Sequence, residues 1–321
     1  MTALDALSAR YRAFAEHEAK GVSPRYEALA LAVAESASLL DFVATLPEDR
    51  RQPNLVLAAI RWVCGVAADG AELHRFIQER GEEIREVALA RRTQTNEAGR
   101  CATLLPLLAT LPQPLALLEV GASAGLCLLP DRYGYDYGRV EIAPPSPTAP
   151  TLRCAVSEDV DVPTRLPTVV WRRGIDLHPV DSTDEVEARW LETLVWPGQP
   201  QRRDRLRAAL GVAAANPPVV ERGDVVEDLP RVAATAPADA TLVVFHSAVL
   251  SYLSPERRAD FRRVVSDVEC VWIANEGRSV FPDIAERAGD HARADRFLLS
   301  MNGRPRALTG PHGQSYDPLP E

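Results

Sequence analysis

Two periodicities divide the chain. Through its first third, apolar residues recur three and four positions apart: Leu4, Leu7, Tyr11 and Phe14, then Leu29, Val33, Leu40 and Val43, then Leu57, Ile60 and Cys64. That spacing predicts amphipathic helices. Ser23-Pro24 marks a helix start, because the hydroxyl caps a free amide and proline at the first helical position has no amide to satisfy. Pro53 opens another helix, and Leu73, Phe76, Ile77, Ile84, Val87 and Leu89 continue the pattern as far as Leu104, Leu105 and Leu108. No hairpin signal or β-branched alternation precedes Pro112, so residues 1–112 read as an α-helical N-terminal cap region.

From Pro114 the texture changes. Leu115–Val120, Thr168–Trp171, Pro218–Glu221, Leu242–Phe245 and Cys270–Ala274 are short apolar runs of the kind a buried parallel strand needs. Helical stretches at Glu185–Leu194, Arg203–Ala215 and Pro255–Ser266 lie between them. Strands alternating with helices predict an α/β fold with a Rossmann-like, mostly parallel sheet over residues 113–321. Near the end, Phe297–Met301 and Pro305–Leu308 flank Asn302-Gly303, a turn pair that predicts a C-terminal antiparallel hairpin. A tyrosine- and glycine-rich, then proline-rich stretch around residues 133–165 reads as an insertion.

Composition narrows the chemistry. The chain has 321 residues, 46% hydrophobic and 25% charged, with a net charge of −9 at pH 7. An acidic balance offers no footprint for nucleic acid, and no apolar run reaches membrane-spanning length. Neither a nucleic-acid nor a membrane partner is expected, and a small-molecule ligand is. The cysteines Cys64, Cys101, Cys127, Cys154 and Cys270 show no C-x-x-C spacing, and the histidines no H-x-x-x-H pair. No metal site is expected, and the cysteine pattern suits a reducing, cytoplasmic setting.

The most informative stretch is Glu119-Val120-Gly121-Ala122-Ser123-Ala124-Gly125, at the carboxyl end of the first expected strand, where open α/β sheets place their ligands. A dinucleotide loop would need G-x-G-x-x-G, and here Ser123 and Leu126 stand at the second and third glycine positions while Glu119 would repel a pyrophosphate. Gly121-Ala-Ser-Ala-Gly125 also spells G-x-S-x-G, the spacing of a serine-hydrolase nucleophile elbow, although that fold places several strands before the nucleophile. A third reading suits the residues better. S-adenosylmethionine carries an ammonium and a sulfonium and no phosphate, so an acid at the strand end beside a turn of small residues fits it, and Gly121 and Gly125 permit close backbone approach. A plain strand–turn–helix glycine loop is the bland alternative.

The loop resembles the E/D-x-G-x-G-x-G loop of S-adenosylmethionine-dependent methyltransferases, with Ser123 replacing the middle glycine. Carried onto this chain, the resemblance implies cofactor contacts from Glu119, Gly121, Ala122, Ser123 and Gly125. It implies an acid on the ribose hydroxyls at Asp176, in Gly174-Ile-Asp-Leu177, and an acid near the adenine amino group at Asp224, followed by Val225. More closely, the chain resembles a bacterial family, domain of unknown function 2332 (DUF2332). Thr93–Glu97 with Arg100, Leu118–Leu126 with Asp131–Gly134, Arg173–Leu177 with Pro179 and Asp181, Trp190-Leu191 with Leu194–Pro197, and Phe245–Val249 carry that likeness across most of the chain.

Outside the loop, Asn96, Glu97 and Arg100 concentrate polarity just before the first strand. On a helix Asn96 and Arg100 would share a face, as a wall for substrate or for the cofactor's methionyl end, or simply as an exposed ion pair. His246 follows the fourth strand and could serve as a base if the methyl acceptor starts protonated; a packed histidine is the alternative. Trp171, Trp190 and Trp196 read as core or lid. The expected function is thus methyl transfer from S-adenosylmethionine to a small molecule. Its rivals are a non-catalytic module that binds S-adenosylmethionine or another nucleoside, and a serine hydrolase acting through Ser123.

Overall fold

The structure, a computed structural model, describes residues 2–157 and 160–320; positions 158 and 159 of the insertion and the side chain of residue 290 lie outside the description. The chain divides into two compact units, residues 1–95 with 186–204, and residues 96–185 with 205–321.

The first unit is helical. It holds α1 (Ala3–Phe14), α2 (Pro24–Glu35), α3 (Ala37–Ala44), α4 (Pro53–Cys64) and α5 (Gly70–Ala90). Ser23 caps α2 through the Tyr26 amide, with Pro24 at the first position as expected, and Asp69 caps α5 through the Glu72 amide. Tyr11, Tyr26, Leu29, Val33, Leu39, Val43, Leu73 and Ile84 bury the apolar stripes in one core. The later segment brings most of α7 (Glu185–Leu194) into this unit. Trp190 packs on Leu55 and Ala58, its ring meeting Trp62 edge-on at 5.8 Å, and its Nε1 donates to the Arg92 carbonyl at 2.8 Å. Trp196 lies 5.2 Å from Phe14. Trp190 is a core residue, and Trp196 is partly buried against the core.

In the second unit, α6 (Cys101–Leu108) leads into β1 (Leu115–Val120), and among the described residues no strand precedes it. The main sheet has nine strands: β1, β5 (Ala155–Val156), β6 (Val169–Asp176), β7 (Val219–Arg222), β8 (Thr241–Ser247), β9 (Val271–Gly277), β10 (Phe297–Met301), β11 (Arg304–Thr309) and β12 (Ser315–Pro318). Their order is β5-β12-β11-β10-β9-β8-β1-β6-β7. The pairs from β7 through β6, β1 and β8 to β9 are parallel, and β10, β11 and β12 follow antiparallel. The chain leaves β1 towards β6 and β7, then crosses back to β8 on β1's other side, so the carboxyl ends of β1 and β8 flank a switch point. Asn302 and Gly303 take φ of 51° and 72° between β10 and β11, the left-handed turn that the sequence predicts. The remaining helices are α8 (Pro200–Ala215), which starts in the first unit, and α9 (Leu229–Ala233), α10 (Pro255–Ser266) and α11 (Pro282–Ala288). Side chains from α9, α10 and α11 share one core with Leu118, Val120, Ile175, Val244 and Ala274 of the sheet.

The helix that a strand–turn–helix reading places after the glycine loop is absent. Single 3-10 turns at Leu126–Leu128 and Pro130–Arg132 replace it, followed by a small sheet of β2 (Gly134–Asp136), β3 (Glu141–Ile142) and β4 (Thr151–Arg153). The cause is local: Pro130 has no amide for the Leu126 carbonyl four residues back, and its ring crowds that carbonyl. Tyrosine hydroxyls serve the carbonyls instead, Tyr133 donating to Leu126 at 2.9 Å and Tyr135 to Pro130 at 2.6 Å.

Candidate functional site

Strand alternation decides which side chains meet at the switch point. Leu118, Val120, Ile175, Val244 and Ala274 point into the core shared with α9, α10 and α11. Successive side chains take opposite faces, so Glu119, Asp176, Ser247 and Asn275 share the other face, all at or near carboxyl ends of parallel strands. His246 and Glu276 fall on the first face.

The loop that ends β1 is held by a clamp. Gly121, Ser123 and Gly125 all take left-handed φ, of 70°, 50° and 67°. A Cβ at Gly121 would lie 2.4 Å from a methyl of Val249, and one at Gly125 would lie 2.6 Å from the Pro218 ring. These two glycines are therefore required by the chain's own packing. Ser123 has no such exemption from the left-handed penalty, roughly 1–2 kcal/mol for an L-residue. It is held there by hydrogen bonds: its amide donates to Asp176 Oδ2 at 2.8 Å, and its Oγ accepts from Asn96 Nδ2 at 2.9 Å. Asn96 Oδ1 takes the Ala124 amide at 3.0 Å, and Asp176 Oδ1 takes the His178 amide at 2.7 Å. Asn96 and Asp176 thus grip the loop from two sides. Asp176 reaches it from the end of β6, and Asn96 from an extended segment, not the helix face the sequence suggests, for only Ala98–Arg100 form a turn of 3-10 helix before α6.

Beneath the loop stands Glu119, 7% exposed, with no hydrogen bond to either oxygen among the described residues and with Oε2 fully buried. Burial pushes its carboxyl well above the usual range; the Cys127 thiol and Asp176 add to this, and Arg100 opposes it. Arg100 is 6% exposed. Its Nη1 donates to the Ser247 carbonyl at 2.8 Å, its Nε to the Pro311 carbonyl at 3.0 Å, and its guanidinium lies over the Phe297 ring at 5.7 Å. Glu97 faces other partners: Arg205 Nε at 2.8 Å and its own Gly99 amide at 3.0 Å, with His312 Nδ1 at 3.8 Å.

Asp224 builds a turn. Its Oδ1 accepts the Val226 and Glu227 amides at 2.8 and 3.2 Å and an Arg257 guanidinium nitrogen at 2.5 Å. Burial raises its pKa, but these donors outweigh that and the carboxyl ends below its ordinary value. Val225 is buried beside it. His246 is fully buried against Phe261, Trp272 and Phe281. Trp272 Nε1 lies 3.1 Å from its Nε2, and an indole can only donate, so Nε2 accepts. The proton then sits on Nδ1, 2.7 Å from Glu276 Oε1, which also takes the Val249 and Leu250 amides. Neither ring nitrogen is left for a ligand.

Residues not singled out from sequence complete the Glu119 face. Thr309 Oγ1 donates to Asn275 Oδ1 at 2.7 Å, and Asn275 Nδ2 to Ser247 Oγ at 3.1 Å, all three buried. Among the described residues no group of three or more His, Cys, Asp or Glu side chains is placed to hold a metal ion. No helix of the described residues is long and apolar enough to cross a membrane.

Fold and site together define an α/β protein with N-terminal helices and a clamped glycine turn over a buried acid, at the switch point of a mostly parallel sheet. The chain belongs to the DUF2332 family, described as an uncharacterized protein conserved in bacteria, whose sequence profile matches residues 8–317. No curated protein matches it.

Proposed function

We propose that this protein binds S-adenosylmethionine at the carboxyl ends of β1, β6 and β7 and transfers its methyl group to a small-molecule acceptor. One observation carries the reading: among the described residues the buried carboxyl of Glu119 finds no hydrogen-bond donor, its Oε2 being fully buried, at the place where an open α/β sheet takes its ligand. A buried carboxylate without a partner is costly. Glu276, whose Oε2 is likewise buried without a partner, has three donors on Oε1, and Glu119 has none on either oxygen among the described residues. A ligand that brings positive charge and N–H donors would satisfy Glu119 as a carboxylate, which a phosphate-bearing one would not.

The residues present fit that cofactor. Glu119 would meet its cationic amino-acid end. Gly121, Ala122, Ser123 and Gly125 supply a rigid turn, fixed by Asn96 and Asp176 before any ligand arrives. Asp176 spends one lone pair per oxygen on backbone amides and keeps acceptor capacity for ribose hydroxyls. Asp224 stays in the reading through Oδ2, beside Val225, for an adenine edge. Arg100 lines the acceptor side, while Asn96 and Glu97 hold the backbone around it. Bound there, the cofactor supplies a methyl group on positively charged sulfur, open to displacement at carbon. The protein's task is then alignment and exclusion of water. With both nitrogens engaged, His246 is a structural residue in this reading, and the acceptor is one that needs no histidine base.

The hydrolase alternative finds less support. No described strand precedes β1, only single 3-10 turns follow Ser123 where a nucleophile elbow requires an α-helix, and the Ser123 hydroxyl is bound to Asn96.

Isothermal titration of the purified protein with S-adenosylmethionine tests the reading. Saturable binding, weakened by roughly tenfold or more in Asp176→Ala as for loss of hydrogen bonds to a charged group, is expected. Binding with no methylated product from any acceptor would leave the non-catalytic module; no binding at all would remove both.

A further inference from the structure

Arg100 is a buried cation whose hydrogen bonds, among the described residues, go to two backbone carbonyls and to no carboxylate. The acids near it do not neutralise it directly. Glu97 is committed to Arg205 and the Gly99 amide. Glu119 makes no hydrogen bond to Arg100, and burial favours its protonated, neutral form. A buried positive charge without a paired anion is costly and points to a missing partner.

The residue that Arg100 grips adds a second donor. Thr309 donates to Asn275, and Asn275 donates to Ser247 Oγ, so the chain of hydrogen bonds runs one way across β11, β9 and β8. Because Ser247 Oγ already accepts, its own proton is left to give, and no described acceptor takes it. A three-residue buried polar chain is expensive unless every member is satisfied. This one ends in an unused donor at the carboxyl end of β8, on the face of Glu119.

We propose that Arg100 and Ser247 form the acceptor subsite and that the acceptor is a carboxylate-bearing small molecule. Asn275 and Thr309 are positioning residues that fix the direction of the Ser247 hydroxyl. The inference rests on the methyl-transfer reading for its chemistry, though the anion site stands on its own geometry. A carboxylate oxygen would form the new bond to the methyl carbon as the carbon–sulfur bond breaks and its electron pair returns to sulfur. The products are a methyl ester and S-adenosylhomocysteine, and no proton moves. No base is required, in keeping with a His246 ring that has no nitrogen to spare.

The test is calorimetric titration of the full chain with sodium benzoate and sodium hexanoate, and with benzamide and hexanamide as neutral partners. Each is run with and without S-adenosylhomocysteine, which is also titrated alone. At least one carboxylate is expected to bind and its amide to bind at least tenfold more weakly, the cost of losing a charge-assisted contact. Ser247→Ala should lower carboxylate affinity more than S-adenosylhomocysteine affinity, Ser247→Thr should restore it, and Thr309→Val should give a smaller loss. Failure of both carboxylates to bind in either condition, or equal binding of acid and amide, overturns the subsite even where S-adenosylhomocysteine binds. Carboxylate binding without S-adenosylhomocysteine binding would keep the anion site and remove the methyl-transfer reading.

Discussion

Glu119 couples the site to pH. Folding raises the pKa of this carboxyl, chiefly through burial, so the folded protein holds a proton there that the unfolded chain has lost. Stability contributed by this group therefore falls as pH rises from the unfolded carboxyl value, about 4.3, towards the raised folded one. Glu119→Gln should melt at a higher temperature than the native chain near neutral pH, and the difference should shrink as the pH falls towards the unfolded value. Equal melting across that range would mean the carboxyl is not held in its neutral form. The loop residues give a second expectation. Ser123→Gly relieves left-handed strain but loses the Asn96 bond and adds unfolded-state entropy, so these terms nearly cancel, to within about 1 kcal/mol. Asn96→Ala removes two bonds to the loop and strands the Ala124 amide, at a cost of about 1–3 kcal/mol. Denaturant unfolding should rank the two variants in that order.

The elements show where local pattern decides and where it does not. The start of α2 at Pro24, the span of α10 and the Asn302-Gly303 turn follow from caps, periodicity and turn chemistry within a few residues, and all are legible in the sequence. The missing helix after Gly125 was not legible, because its substitute depends on Tyr133 and Tyr135 folding back onto carbonyls. Tyr133→Phe should leave the Leu126 carbonyl with only the long contact from the Cys101 thiol at 4.0 Å and destabilise by about 1–3 kcal/mol, measured by the same unfolding curve. The candidate site was legible only in part. Glu119, Asp176 and the loop lie on one stretch or at strand ends. Ser247 and Asn275 join them only through sheet register, and His246, one residue from Ser247, faces the other side. Gly121→Ala tests the packing of the loop: its Cβ would strike Val249 and its φ is left-handed. It should cost about 1–3 kcal/mol as an overpacked core does, and Val249→Ala in the same chain should recover only part, since the backbone strain remains.

At the scale of the whole molecule, the helical unit is discontinuous: residues 186–204 belong with 1–95. A fragment of residues 96–321 would still carry α7 but not Leu55, Ala58 and Trp62, on which Trp190 packs. Its Trp190 should become solvent-exposed, read as a red-shifted emission and as self-association on size exclusion. A monomeric fragment with Trp190 still buried would contradict that division. The central claim is that a cationic S-adenosylmethionine meets the buried carboxyl of Glu119. Binding should then favour the ionised carboxylate and expel its proton. The direct measurement is calorimetric titration with S-adenosylmethionine in buffers of different ionisation enthalpy, for the native chain and for Glu119→Gln. Saturable binding by the native chain, with proton release that Glu119→Gln lacks, is the predicted result. Absence of binding, or the same proton balance and affinity in both proteins, would contradict it.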